Sequence, residues 1–81
     1  MIRFHSHAAI RIAERHLRLE WVEATVVAPD WTAPDPNDPA VTRIFRAISQ
    51  AQGRILRVAH RPDGNDIVVL TAFFDRGARK P

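Results

Sequence analysis

Residues Arg54 to Phe74 read RILRVAHRPDGNDIVVLTAFF. From Arg54 to His60 the chain alternates, with Arg54, Leu56, Val58 and His60 on one side and Ile55, Arg57 and Ala59 on the other, the period of a strand. Arg61-Pro62-Asp63-Gly64-Asn65 is a hairpin turn signal, since Pro presets one backbone angle and Gly accepts positive φ. Asp66 to Phe74 is then nearly all apolar, interrupted at Thr71, and predicts the central or most buried strand. Just upstream, Val41 to Ile48 alternates Thr42, Ile44, Arg46 and Ile48 against Val41, Arg43, Phe45 and Ala47, with a turn at Gln50 to Gly53. The three strands form an antiparallel meander.

The segment before them changes character. Residues 29 to 40 hold four prolines and three aspartates, which bars a helix or a central strand and predicts an extended acidic loop. Ahead of the loop the period is helical. From Ser6 to Leu17, Ile10, Ala13 and Leu17 fall together, flanked by Ala9 and Ile12, and His7, Arg11, Glu14, Arg15 and Arg18 oppose them; Ser6 is the expected N-cap. Leu19 to Ala28 predicts a second helix with Trp21, Val22, Thr25 and Val26 inward, stopped by Pro29. A short edge strand fits Ile2 to His5. Helices bunched before strands define an α+β fold: two N-terminal helices packed on a three- to four-stranded antiparallel sheet, in one domain over 1–81, with the second sheet face free for a ligand.

Composition narrows the function. The chain has 81 residues and a net charge of +3, and 11 of its 12 cationic side chains are Arg. With no Cys there is no disulfide scaffold, thiol nucleophile or Cys-based zinc site. No apolar run is long enough to span a membrane, and the opening residues do not make a signal peptide, so a cytoplasmic location is the default expectation. The arginines come either from a GC-rich genome or from phosphate recognition, for which the planar guanidinium fork is suited. Asp30, Asp35 and Asp38 sit together in the Pro-rich segment, so the charge is more asymmetric in space than its total.

Several residues invite chemistry. Arg57 and one of Arg43 or Arg46 share a sheet face, positioned either as solvated side chains or as bidentate phosphate ligands. His7 at the start of a helix can act as a neutral base or as an ordinary surface residue. Thr71 either packs as a β-branched residue or bonds a phosphate oxygen. His5, His7 and His60 carry no recognised metal spacing, and no metal or cofactor is called for. Glu14 with Arg11 and Arg18 fits a helix-surface ion-pair set. No nucleophile triad, Gly-rich phosphate loop or carboxylate pair is present.

Phe4-His5-Ser6-His7-Ala8-Ala9-Ile10-Arg11-Ile12-Ala13-Glu14-Arg15 resembles the opening of a small bacterial family of uncharacterised domains with a His-Ala-x-x-Arg-x-x-x-Arg helix signature. The family continues with a helix ending at Pro, Arg-bearing strands and a last strand of the form Val-Val-Thr-x-aromatic, here Trp21 to Pro29, Arg43 to Arg57 and Val68 to Phe73. It is distantly similar to BrnT and RelE/ParE-like toxins of toxin–antitoxin systems. The resemblance maps functional positions to His7, Arg11, Glu14, Arg15, Arg57 and Thr71. Phe73 departs from it where related ribonucleases use Tyr, and His16 and Arg18 depart where relatives place Gly and a Ser or Thr cap.

The resemblance implies a toxin-like protein with RNA and a cognate antitoxin protein as partners. In a metal-independent endoribonuclease, the catalytic set is His7 as base or acid, Arg57 as charge stabiliser and Thr71 as phosphate ligand, with Arg11, Arg15 and Arg46 binding nucleic acid. The alternative is a non-catalytic nucleic-acid- or protein-binding module of the same fold. A further alternative is a structural partner that pairs through its sheet edge or Pro-rich loop.

Overall fold

A computed structural model describes all residues from Met1 to Pro81. The elements are β1 (Ile2–Phe4), α1 (Ser6–Glu14), α2 (Leu19–Val27), β2 (Trp31–Pro34), β3 (Thr42–Ile48), a 3-10 turn (Ser49–Ala51), β4 (Arg54–Asp63) and β5 (Asp66–Phe74). The α+β class and the β3–β4–β5 antiparallel meander agree with the sequence reading. The sheet itself does not: it has five strands in the order β1-β5-β4-β3-β2 and is mixed, because β1 runs parallel to β5. No hairpin joins these two strands, so no turn imposes the antiparallel sense. β4, not β5, therefore occupies the centre.

Local chemistry sets each boundary. The N–H of Ile67 donates to Met1 C=O (2.9 Å) and that of His5 to Val69 C=O (2.9 Å), seating β1 on the sheet. The Met1 ammonium (3.3 Å) and Arg3 Nε (3.1 Å) both meet Asp66, and Arg3 also pairs with Asp63. At the other edge, part of the Pro-rich segment is a strand after all. Pro34 closes β2, and an edge strand tolerates a missing N–H. The following loop is folded by Asp35, whose Oδ1 accepts the N–H of Asn37 (2.8 Å) and of Asp38 (3.1 Å) and whose Oδ2 accepts Arg43 Nε (3.3 Å). The Asn37 N–H above all, with the Arg43 charge and the Asp38 N–H, holds the Asp35 carboxyl below its ordinary pKa, against burial, which raises it.

The hairpin is tighter than expected. β4 runs on through Pro62, which pairs with Ile67, so the turn shrinks to Gly64–Asn65, with φ of +61° at Gly64. That angle is what Gly supplies at the first central position of a two-residue hairpin loop. A bulge follows, with Ala59 opposite Thr71 but His60 opposite Val69.

α1 is capped by His5 rather than Ser6; the His5 Nδ1 accepts the His7 N–H at 3.3 Å. It ends at Glu14, three residues earlier than its periodicity suggested. The His16 N–H donates to Ala13 C=O (3.1 Å) and the Leu17 N–H to Ile12 C=O (3.1 Å), with His16 at φ +56°. This is a Schellman ending, and buried Leu17 and Ile12 share its apolar contact within the core. A histidine in this left-handed position carries a cost that glycine lacks. His16→Gly is expected to raise stability by about 1 kcal/mol, read as a higher midpoint in urea unfolding; an unchanged or lower midpoint counts against it.

Both helices cover the same sheet face. Ala8, Ile12, Leu17 and Val22 meet Ile44, Ile48, Leu56, Val58, Val69 and Ala72 in one core. Thr25 is fully buried, and its hydroxyl donates to Trp21 C=O at 2.8 Å. Strand alternation sends Arg43, Phe45, Arg57, Ala59, Thr71 and Phe73 to the face the helices leave free.

Candidate nucleic-acid interface

On the helix-free face the register aligns Trp31, Phe45, Arg57 and Phe73 in one row across four strands. The Trp31 and Phe45 rings stack at 4.8 Å and 7°. The Arg57 guanidinium lies 4.4 Å from the Phe73 ring centre, a cation–π contact. Its Nη1 donates to Asp75 Oδ2 at 3.2 Å, and its Nε is buried without a partner. The next row aligns Ala33, Arg43, Ala59 and Thr71. Arg57 and Thr71 are thus diagonal neighbours on one face.

At the end of the sheet where β4 begins and β5 stops, the surface dips into a groove of about 270 Å³ whose charged lining is Arg54, Asp75, Arg76 and Arg79. A second depression, of about 330 Å³, shares Arg54, Phe74 and Arg76 with it and adds Arg15 and Phe73. The Arg54 guanidinium stacks 4.1 Å from the Phe74 ring centre. Arg15 reaches in from α1, donates to Ala72 C=O at 3.1 Å and comes to 5.8 Å from the Phe73 ring centre. Phe73 therefore joins the groove to the aromatic row. Arg15, Arg54, Arg76 and Arg79 make no ion pair, whereas Arg3, Arg11, Arg18, Arg43 and Arg57 each have a carboxylate.

The residues singled out from sequence are only partly brought together. Arg57 and Arg15 lie against Phe73, and Thr71 is two residues along β5 on the same face. His7 is exposed in the first turn of α1, its ring 5.4 Å from that of His5, and it bonds to neither Arg57 nor Thr71. Arg11 is exposed and pairs with Glu14 at 3.7 Å. Arg46 pairs in register with Leu56, which puts it on the helix-covered face, and it donates to Ala28 C=O. The Arg that shares the face of Arg57 is Arg43. Arg54, Arg76 and Arg79 belong to the groove but were not among the expected site residues; the adjacent Phe73-Phe74 and the basic tail were the available signals.

His60 stands on β4 with its Nδ1 buried and unpartnered, and burial pushes its pKa below the ordinary 6.5. No three His, Cys, Asp or Glu side chains group closely enough to hold a metal ion. No helix is long and apolar enough to cross a membrane.

Fold and site together define a small α+β protein with two helices on one face of a mixed sheet, an aromatic–arginine row on the other and an arginine-lined groove at one end. Residues 4–74 match the family model of a domain of unknown function, DUF4258, and the chain belongs to that family. This agrees with the resemblance to a family of uncharacterised domains; the match carries no link to BrnT or RelE proteins. No curated protein matches the chain, and no solved structure does.

Proposed function

We propose that the chain binds single-stranded RNA across the helix-free sheet face and the groove at its end, as a toxin-like, RNA-directed protein. The observation that carries this is the clustering of Arg15, Arg54, Arg76 and Arg79, none with a carboxylate partner, around Phe73 and Phe74. Guanidinium forks grip phosphate oxygens, and exposed aromatic rings stack unpaired bases. Phe73 supplies a half-buried ring beside Arg15 and Arg57, and Trp31, also half-buried, lies further along the same face. A cognate antitoxin that covers this face would compete with RNA.

A second reading, the metal-independent endoribonuclease, draws on Arg57 and Thr71 as diagonal neighbours on the helix-free face. His7 and Arg11 lie four residues apart on one side of α1, and Arg15, just past its end, comes beside Phe73. In that reading the 2′-hydroxyl attacks the adjacent phosphorus and the 5′-oxygen leaves. Arg57 stabilises the phosphorane charge, and the proton passes from the 2′-hydroxyl to the leaving 5′-oxygen through His7, which requires the bound strand to reach round to α1.

One titration tests both. A fluorescein-labelled oligoadenylate should bind with log Kd rising with log salt at a slope of about 3, as four phosphate contacts to a single strand predict. Binding that ignores salt, or no binding at all, overturns the proposal. The same mixtures on a denaturing gel report cleavage: product that disappears with His7→Ala establishes the enzyme reading, and intact RNA leaves binding alone.

A further inference from the structure

Asp75 is the single acidic side chain in the groove, beside Arg54, Arg76 and Arg79. Asp63 and Asp66 flank the hairpin at the opposite end of the sheet, and Asp35 and Asp38 lie in the loop that leads into β3 at that same end. An acid placed alone among arginines needs a reason, and its bonds supply one. Asp75 Oδ2 accepts Arg57 Nη1 (3.2 Å), Oδ1 accepts the Gly77 N–H (2.9 Å), and its own N–H donates to Ile55 C=O (2.9 Å). The carboxylate is therefore fixed in place against a guanidinium that already leans on Phe73. The donors of Arg57 lie in its plane. One is taken by Asp75 and the Nε is left empty.

We propose that Asp75 is a built-in stand-in for a phosphate, occupying Arg57 in the free protein and yielding it to an RNA phosphate on binding. The proposal rests on the RNA-binding reading and names how that site is gated. A carboxylate and a phosphodiester each present one negative charge over two oxygens, so the exchange at Arg57 is nearly balanced. A lone anion gains little by displacing Asp75. A strand that also places phosphates on Arg54 and Arg76 brings the additional contacts that tip the exchange. Asp75 thus selects polyphosphodiesters over small anions and lowers affinity for all of them.

The test is Asp75→Asn, which keeps an oxygen for the Gly77 N–H and removes the charge. With the labelled oligoadenylate at low salt, Kd should fall about tenfold and the salt slope should steepen by about 0.7, because the Arg57–phosphate contact is no longer offset by a freed Asp75 charge. In an Arg57→Ala background the same change should yield about twofold at most, because the freed guanidinium is gone. Asp75→Ser, which also offers the Gly77 N–H an oxygen, reports the same way if Asn disturbs the turn. Unchanged or weaker binding by both variants, or a full tenfold gain in the Arg57→Ala background, overturns the gating role while RNA binding by the parent protein stands. Failure of the parent and of both variants to bind overturns the RNA reading, and the gate with it.

Discussion

Replacing Arg54 and Arg76 together by alanine should weaken single-stranded RNA binding by about a hundredfold at low salt. Each of these arginines lines both depressions at the end of the sheet, and neither has a carboxylate to lose. A charge-assisted contact to phosphate is worth about tenfold in affinity, and two independent ones multiply. The salt slope should drop by about 1.4, since two fewer counterions are released. Fold stability should hardly move. Both side chains are exposed, and the Arg54–Phe74 stack contributes only about 0.5–1 kcal/mol. Fluorescence anisotropy over a salt series, with a urea melt as control, measures both quantities. A double variant that binds as tightly as the parent removes the groove from the interface.

Leu56→Ala should be the most damaging change to the fold, with a loss of about 3 kcal/mol and a Tm lower by about 15 °C. Leu56 is fully buried on the central strand, in register between Arg46 on β3 and Phe74 on β5, and packs in the core that both helices share. Its truncation leaves a void that the close-packed sheet cannot collapse to fill. A domain of this size has only roughly 5–10 kcal/mol to lose. Val27→Ala is the matched control, because Val27 is 77% exposed at the end of α2 and its truncation opens no void. Thermal melting followed by circular dichroism compares the two, and equal melting points would contradict the core assignment.

Of the residues singled out, Arg57 was legible as a sheet-face arginine; it and Arg15 lie against one ring, with Thr71 on the same face as Arg57. Arg46 was not, because alternation alone states that residues two apart share a face but not which neighbour's face they join. Arg43 is opposite Ala59, and that register places it, rather than Arg46, with Arg57. His7 was chosen by its position at a helix start, a local property that says nothing about what lies across the sheet. In sequence, Arg54 belongs to a strand and Arg76 and Arg79 to the tail that follows Phe74. They become a groove only because β4 begins where β5 stops, with Asp75 bonded back to Ile55 at that junction.

The local elements are written in the chain: two helices in their apolar spacing, three strands in alternation and apolar runs, and the hairpin in Gly64, while Pro62 belongs to β4. Those signals act between residues near in the chain, through backbone angles and side-chain periodicity. What sits beside what came from the packing of distant segments. That packing seated Ile2–Phe4 parallel to β5, turned Trp31–Pro34 into an edge strand, and set Asp75 against Arg57. These depend on burial and hydrogen bonding between segments as many as sixty-five residues apart, as in the Ile2–Ile67 pair. No period in a single chain encodes such pairings, because they are chosen by the free energy of the whole packed core.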